Sequence, residues 1–158
     1  MELINSNEAS VVMGHLELNG FKMYKNSFCH HGMNHTIFNG YDLVMTGHYH
    51  HKSTVGNIAY LGSTYEITWA DYNDPRGFHI FDTNTLDLEY YQNSHKIFHK
   101  IIYNDTGVES FEKISKDFSF CKNSYVKVLV ESKNNPYFFD KFIDSIQLHE
   151  PFDLSIIE

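Results

Sequence analysis

The stretch Tyr41-Asp42-Leu43-Val44-Met45-Thr46-Gly47-His48-Tyr49-His50 joins a short apolar run to a glycine and two histidines. An apolar run of this length, bounded by turn residues, predicts a buried strand. The same order occurs upstream, where Gly14-His15 follows Ser10-Val11-Val12-Met13. Each histidine therefore lies where a buried strand gives way to a loop, and open α/β sheets bind their ligands at that edge.

The two histidines of the Gly-His-x-His motif are predicted to face the same side, because alternate residues of extended backbone share a face. Neutral imidazole is the commonest protein ligand for divalent metals. A third imidazole from a neighbouring strand end would complete a half-site, so the sequence predicts a metal site formed by His15, His48 and His50. The alternative is that these side chains only hydrogen-bond to loop backbone.

Three histidines do not complete a site that hydrolyses phosphate esters. Two metals about 3.5–4 Å apart need bridging oxygen ligands, which are usually carboxylates. The only residues before His15 are Met1 to Gly14, and they contain no Asp-x-His or Gly-Asn-His motif. We therefore expect half of a binuclear site to be missing from this polypeptide.

The composition is that of a folded globular protein. Of 158 residues, 42% are hydrophobic and 16% aromatic, enough for one ordinary domain or two small ones. No apolar run reaches the roughly 18 residues that cross a bilayer, and Cys29 and Cys121 are too few for a disulfide framework. We expect a cytoplasmic protein, in the host cytoplasm if a phage encodes it. The formal net charge of −8 counts modestly against a nucleic-acid binder, less so where divalent ions supply positive charge.

The first part of the chain is predicted to consist of strands joined by irregular loops. Residues 20–40 are rich in His, Asn and Gly, which indicates a loop with one helical turn. The predicted strands are residues 11–13, 42–45 and 57–61, followed by a hairpin of residues 77–82 and 86–90.

From about residue 96 the pattern changes to alternating strands and helices, which predicts a separate small unit. Its elements are a strand over 96–103, a helix from Val108 to about Phe118 capped by Asp105-Thr106, a strand over 125–130, a helix opened by Pro136, and a strand over 152–157.

Three motifs resemble the last motifs of the calcineurin-like metallophosphoesterases: Gly14-His15, Gly47-His48-Tyr49-His50 and Gly62-Ser63. Two longer strings, Gly14-His15-Leu16-Glu17-Leu18-Asn19-Gly20-Phe21 and Asn73-Asp74-Pro75-Arg76-Gly77-Phe78, resemble more specifically the nuclease subunit of phage recombination endonucleases of the SbcCD type. The resemblance covers about residues 8 to 92.

The resemblance implies an α/β (α+β) chain. Residues 1–95 would be the C-terminal portion of a metallophosphoesterase β-sandwich with an incomplete active site, and residues 96–158 a β-α-β-α-β capping domain that contacts DNA. It also implies two Mn²⁺ ions in the complete domain, with His15 and His48 on one and His50 on the other. The catalytic residues are expected in a missing N-terminal part, so none is assigned here.

The resemblance further implies an exo- or endonuclease subunit for recombination and double-strand-break processing. Its partners would be DNA, an SMC-like ATPase and a second copy of the full-length subunit, with the dimer region absent from this chain. We expect this polypeptide alone to be inactive. The alternatives are another metallophosphoesterase, such as a phosphatase or phosphodiesterase, and a non-catalytic module that binds DNA or the ATPase.

Substrate contacts are predicted for Gly62, Ser63 and Arg76, although Arg76 is also placed to pair with Asp74 inside a turn. For His51 and Lys52, contacts with a phosphate and exposure as loop charges are equally favoured. Two functional interpretations are less favoured: a zinc site at Cys29-His30-His31 with His35, and base stacking by Trp69 and Tyr72.

Overall fold

The computed structural model describes residues 9–158, and the chain divides into two compact units, Met1–His95 and Lys96–Glu158. The division falls where the sequence pattern changes. Residues 9–158 form eleven strands and one α-helix. These are β1 (Val11–Gly14), β2 (Lys22–Tyr24), β3 (Ser27–Phe28), β4 (Leu43–Thr46), β5 (Ser53–Val55), β6 (Ile58–Tyr60), β7 (Gly77–Phe81), β8 (Leu88–Gln92), β9 (Phe98–Asn104), β10 (Tyr125–Ser132), α1 (Pro136–Gln147) and β11 (Asp153–Ile157).

The first unit contains a four-stranded sheet in the order β1-β4-β6-β5. β1, β4 and β6 are parallel, and β5 runs antiparallel to β6. Val44 of β4 and Ile58 of β6 are buried, as expected for central strands of a parallel sheet. Because parallel strands end on the same side, the ends of β1, β4 and β6 form one edge, which we call the carboxyl edge.

The core below the carboxyl edge is built around two stacked tyrosines. The rings of Tyr49 and Tyr60 lie 4.6 Å apart and are nearly parallel. Their hydroxyls reach the segment after β1: Tyr60 donates to the Leu16 carbonyl at 2.8 Å and Tyr49 to that of Leu18 at 3.3 Å. Burial raises the pKa of Tyr60 to about 12. The segment after β1 is thereby fixed to the floor of the sheet.

Two hairpins complete the first unit. β2 and β3 pair within residues 20–40, where a loop was predicted, and the predicted helical turn is the single 3₁₀ turn His35–Phe38. β7 and β8 form the predicted antiparallel hairpin, but their connection spans residues 82–87 and is longer than predicted. Here the Asp82 carboxylate accepts hydrogen bonds from the Asn84 and Thr85 amides, a side-chain turn that shortens both strands.

The second unit is a three-stranded parallel sheet, in the order β11-β10-β9, with α1 packed against it. Asn135 caps α1 by accepting a hydrogen bond from the Phe138 amide at 3.3 Å, and Pro136 opens the helix as predicted. Phe139, Phe142 and Ile146 are buried against the sheet.

The helix predicted from Val108 to Phe118 is wrong. This segment contains only the 3₁₀ turn Phe111–Lys113, and a second 3₁₀ turn, Ser119–Cys121, follows it after irregular backbone. The Asp117 carboxylate accepts from both the amide and the hydroxyl of Ser119, at 2.8 and 3.0 Å. Such local hydrogen bonds compete with those of a helix. The unit therefore has one helix where the predicted β-α-β-α-β order required two.

The predicted helix cap at Asp105 is wrong for a related reason. Its carboxylate is buried and accepts hydrogen bonds from the Asn134 and Asn135 amides, both at 2.7 Å, and from the Tyr103 hydroxyl at 3.1 Å. Asp105 therefore joins the end of β9 to the start of α1, about thirty residues away, and does not start a local helix.

The observed structure confirms a mixed α/β chain of the α+β kind, dominated by strands. Both cysteines are buried and free. Within residues 9–158, no helix is long and apolar enough to cross a membrane.

We expect the second unit to lose stability when Asp105 is protonated. Burial alone would raise the pKa of Asp105, but its three hydrogen bonds hold that pKa below the usual value. Because its pKa is lower in the folded state, Asp105 stabilises the folded unit fully at pH values above its unfolded-state pKa of about 3.9. This stabilisation is lost as the pH falls through the folded-state pKa. Hydrogen exchange of the Val126 and Val128 amides across this pH range measures the loss.

In the Asp105→Asn variant, the Val126 and Val128 amides should exchange hydrogen faster than in the wild type at pH 7. Their exchange should also depend less on acid pH, because the variant has no carboxylate to protonate at this position. Asp140→Asn, at an exposed position on α1, is the control and should leave the profile of these amides unchanged. Equal acid sensitivity in wild type and Asp105→Asn would contradict the assignment.

Candidate metal site

The parallel register of β1 and β4 brings two of the predicted histidines together. Gly14 is paired with Thr46, so His15 and His48 both follow just beyond the carboxyl edge. Nε2 of His15 and Nδ1 of His48 are 3.1 Å apart, and the two rings meet edge to face.

The residue between the two motif histidines is buried, whereas the histidines are not. Tyr49 is 95% buried in the core, stacked on Tyr60. The backbone bends at residues 48–50, and His48 and His50 remain partly exposed. Both line a small cavity of about 160 Å³ with Met23 and Tyr24 from β2.

His50 is held by a buried carboxylate. Its Nδ1 lies 3.3 Å from both oxygens of Asp71, whose side chain is fully buried. A carboxylate only accepts hydrogen bonds, so Nδ1 carries the proton and Nε2 keeps its lone pair. Histidines that bind metals in proteins commonly have this arrangement, with the second nitrogen donating to a carboxylate. The geometry prepares Nε2 of His50 as a ligand atom.

Asp71 is kept ionised by its surroundings. Burial alone would raise its pKa, but hydrogen bonds from the Ile67 and Thr68 amides, together with the positive charge of Arg76 and interaction with His50, lower the pKa below its usual value. The carboxylate therefore stays an acceptor for His50 at neutral pH.

Arg76 is the only arginine of the chain, and its side chain is 98% buried. One guanidinium nitrogen donates to both Asp71 and Asp74, at 3.0 and 2.8 Å. The other donates to the His50 carbonyl and, at 3.2 Å, to the Ser63 hydroxyl. In this structure Arg76 thus acts on the site through the loop that it holds, and a direct contact with substrate stays a prediction.

Asp74 also holds the histidine that follows the motif. Nδ1 of His51 donates to the Asp74 carboxylate at 2.7 Å, so Asp71 and Asp74 orient two neighbouring imidazoles while sharing one guanidinium. These five side chains, Asp71, Asp74, Arg76, His50 and His51, form what we call the buried charge cluster.

The predicted Gly62-Ser63 contact is a backbone contact in this structure. Gly62 has φ +76°, and a Cβ placed there would lie 2.9 Å from the His50 carbonyl oxygen. Ser63 donates its amide to the same carbonyl at 3.0 Å. A glycine is required here both by its conformation and by the close approach of the motif loop. Direct substrate contacts by Gly62 and Ser63 stay predictions.

The donors fit part of a metal site. Two nitrogen ligands of one ion, each bonded at about 2.0–2.1 Å, lie roughly 3.0–3.4 Å apart, and His15 and His48 have this spacing. Without a metal, one ring must donate a hydrogen bond to the other. Among residues 9–158, however, no group of three or more His, Cys, Asp or Glu side chains is arranged to hold an ion.

The residues of the predicted zinc site and of the predicted base-stacking pair make contacts within the protein. The Cys29 thiol is buried and donates to the His31 carbonyl at 2.9 Å. Trp69 and Tyr72 lie 6.4 Å apart, centroid to centroid, beside the turn that carries Asp71.

Sequence reasoning missed Asp71 and used Asp74 only as a partner for Arg76. The sequence Thr68-Trp69-Ala70-Asp71 carries the spacing of a capping box, in which an acidic side chain accepts from the first residue of a turn. That pattern could have identified a fixed carboxylate, although not its contact with His50, which lies 21 residues earlier.

The chain is similar to nuclease subunits of known proteins. It is 34% identical over 161 residues to exonuclease subunit 1 of Enterobacteria phage T4, covering 99% of this chain and 45% of that protein. It is 25% identical over 155 residues to a subunit of the nuclease SbcCD of Staphylococcus epidermidis, covering 94% of this chain and 38% of that protein. No family model matches the chain.

These matches confirm the resemblance to nuclease subunits of the SbcCD type. The chain is thus related to that class over nearly all of its own sequence, and it spans less than half the length of the two relatives.

Removing the shared cation should destabilise the first unit strongly. Arg76→Met leaves Asp71 and Asp74 buried and facing each other without a counter-charge, which typically costs about 3–5 kcal/mol. Arg76→Lys keeps the charge but cannot supply the paired donors, so we expect an intermediate loss. Urea unfolding followed by the fluorescence of Trp69, the single tryptophan, reports on this unit.

Lys122→Met, at an exposed position of the second unit, is the matched control and should change the free energy of unfolding by less than about 0.5 kcal/mol. If Arg76→Met unfolds at the same urea concentration as the wild type, the stability of the buried charge cluster does not depend on the guanidinium.

Proposed function

We propose that this chain is part of a metal-dependent nuclease subunit that cleaves phosphodiester bonds of DNA in recombination and double-strand-break processing. The observation that carries the proposal is the paired nitrogens of His15 and His48, 3.1 Å apart at the carboxyl edge. His50, oriented by Asp71 beside the same cavity, adds a third prepared nitrogen. The similarity to two nuclease subunits supports the same conclusion.

In the proposed site, His15 and His48 would hold one Mn²⁺ ion and Nε2 of His50 would hold the second. Two bound divalent ions would stabilise the attacking and leaving oxygens of an in-line displacement at phosphorus. The role of this chain is to fix three imidazoles in place: Asp71 sets the tautomer of His50, the buried Tyr49 anchors the loop between His48 and His50, and Arg76 donates to the His50 carbonyl.

We further propose the metallophosphoesterase arrangement for the first unit and a DNA-contacting cap for the second. Both relatives are named as subunits. By analogy, the whole protein containing this sequence would form a homodimer and work with an SMC-like ATPase on DNA ends.

A second candidate is a non-catalytic module that binds DNA or the ATPase. It is favoured by the lack of a three-ligand group among the residues that the structure describes. Another metallophosphoesterase, a phosphatase or phosphodiesterase, would use the same three histidines. The similarity to nuclease subunits over 94–99% of this chain argues against that alternative.

We expect Mn²⁺ to bind weakly at the predicted histidines. In a titration followed by proton NMR, the paramagnetic ion should broaden the ring signals of His15, His48 and His50 before those of other histidines. His48→Ala should raise the Mn²⁺ dissociation constant at least about tenfold, because it removes one of two nitrogens that share an ion.

His95→Ala is the matched control, since His95 is an exposed histidine of the same unit. It should leave the Mn²⁺ affinity unchanged. Broadening of the His15 ring that is unaffected by His48→Ala would mean that Mn²⁺ is not held by the His15–His48 pair, and would favour the non-catalytic module.

We also expect no nuclease activity from this polypeptide by itself. The two acidic residues in contact with the motif loop, Asp71 and Asp74, are bonded to Arg76, His50 and His51 and cannot bridge two ions in this conformation. A labelled linear duplex incubated with Mn²⁺ and pure protein should remain intact. Stoichiometric cleavage that is lost in His48→Ala would contradict this expectation.

A further inference from the structure

Charge is distributed unevenly along the sequence that surrounds the candidate metal site. The chain as a whole carries 20 acidic residues and a net charge of −8, yet residues 18–65 contain a single acidic residue, Asp42. The same segment contains Lys22, Lys25 and Lys52 and six of the eleven histidines. The segment that carries the Gly-His-x-His motif is therefore locally basic, which favours an anionic ligand.

The β2–β3 hairpin of this segment exposes aromatic rings next to lysines. Tyr24 is 44% exposed and Phe28 is 49% exposed. The Lys22 ammonium lies 5.7 Å from the centre of the Phe28 ring, and Lys25 lies in the exposed turn between the strands. Interleaved cations and exposed rings are the features with which proteins bind unpaired nucleic-acid strands.

The hairpin is fixed to the unit from below. Its ladder continues through hydrogen bonds between Phe21 and Cys29, at 2.8 Å, and between Gly20 and Cys29, at 2.9 Å. Phe21 and Cys29 are buried, and Met23 packs against the same core cluster. The exposed rings are thus presented by an anchored hairpin, so binding to them costs little ordering of the backbone.

The hairpin also forms one wall of the candidate site. Met23 and Tyr24 line the cavity of about 160 Å³ whose other side is formed by His48, Tyr49 and His50. A phosphodiester held at the imidazoles would therefore lie beside the Tyr24 ring, with the next nucleotide within reach of the hairpin.

We propose that the β2–β3 hairpin is the substrate-positioning wall of this site and binds a single strand of nucleic acid, with Tyr24 stacked on an unpaired base and Lys22 and Lys25 against the flanking phosphates. This deepens the proposed function, because it assigns residues that hold the strand next to the histidines. Stacking requires an exposed base face, so the wall selects unpaired nucleotides over a closed duplex.

The test measures binding without metal. Fluorescence anisotropy of a labelled oligothymidylate is followed in EDTA as wild-type chain is added, with a duplex of equal length as the comparison. We expect the single strand to bind with a dissociation constant in the range of about 1–100 μM at moderate salt, and more tightly than the duplex.

The decisive variants separate stacking from charge. Tyr24→Ala should weaken binding about 5- to 100-fold, whereas Tyr24→Phe keeps the ring and should stay within about twofold of wild type. Lys25→Gln should weaken binding. It should also reduce the slope of log binding constant against log salt concentration by about the amount that one phosphate contact contributes. Tyr91→Ala, an exposed tyrosine on β8 of the same unit, is the control and should bind like wild type.

The variants are compared only after their amide NMR spectra show a folded first unit. Wild-type binding that is unchanged in Tyr24→Ala, or no binding by the wild type at about 100 μM, overturns the assignment of the hairpin. The Mn²⁺ titration of His48→Ala is independent of this result. If single-strand binding depends on Tyr24 but Mn²⁺ binding does not depend on His48, only the proposed metal-dependent nuclease is contradicted. If Mn²⁺ binding depends on His48 but single-strand binding does not depend on Tyr24, only the proposed role of the hairpin is contradicted.

Discussion

The candidate site depends on one buried guanidinium. Arg76 bonds two carboxylates, each of which orients an imidazole, and it also bonds the carbonyl of His50. Burying an ion is expensive unless its charge and its hydrogen bonds are matched, and here one cation neutralises part of the charge of Asp71 and Asp74. The cluster is formed by two short segments, residues 50–51 and 71–76, so the loop after β4 and the turn before β7 hold their positions together.

The backbone of the parallel sheet supplies the other half of the geometry. The pairing of Gly14 with Thr46 brings His15 close to His48, and the buried Tyr49 anchors the loop between His48 and His50. Gly62 allows the segment after β6 to approach the His50 carbonyl. None of these contacts involves a metal, so the chain alone preorganises the imidazoles, which is what a catalytic or binding site requires of its support.

The sequence predicted those strands and the helix that are marked by residues close together in the chain. It did not predict the contacts between residues that are far apart in the chain. β1, β4 and β6 follow from short apolar runs ending near glycine, and α1 follows from Pro136 with apolar residues at helical spacing. Asp105 was misread because its cap-like position says nothing of the amides near residue 135 that it binds. The contact of Asp71 with His50 was missed for the same reason, since the two segments meet only in the folded unit.

The net charge of the whole chain differs in sign from the charge of residues 18–65. A net charge of −8 counts against a nucleic-acid partner only if the acidic residues are spread evenly. Of the acidic residues only Asp42 lies within residues 18–65, and Asp71 and Asp74, which bond His50 and His51, are buried and share the charge of Arg76. The cavity beside His48 and His50 is lined by Tyr24 and Met23 of the hairpin that carries Lys22 and Lys25. An anionic strand that approaches the hairpin therefore meets two lysines, whose attraction extends roughly 10 Å at ordinary salt.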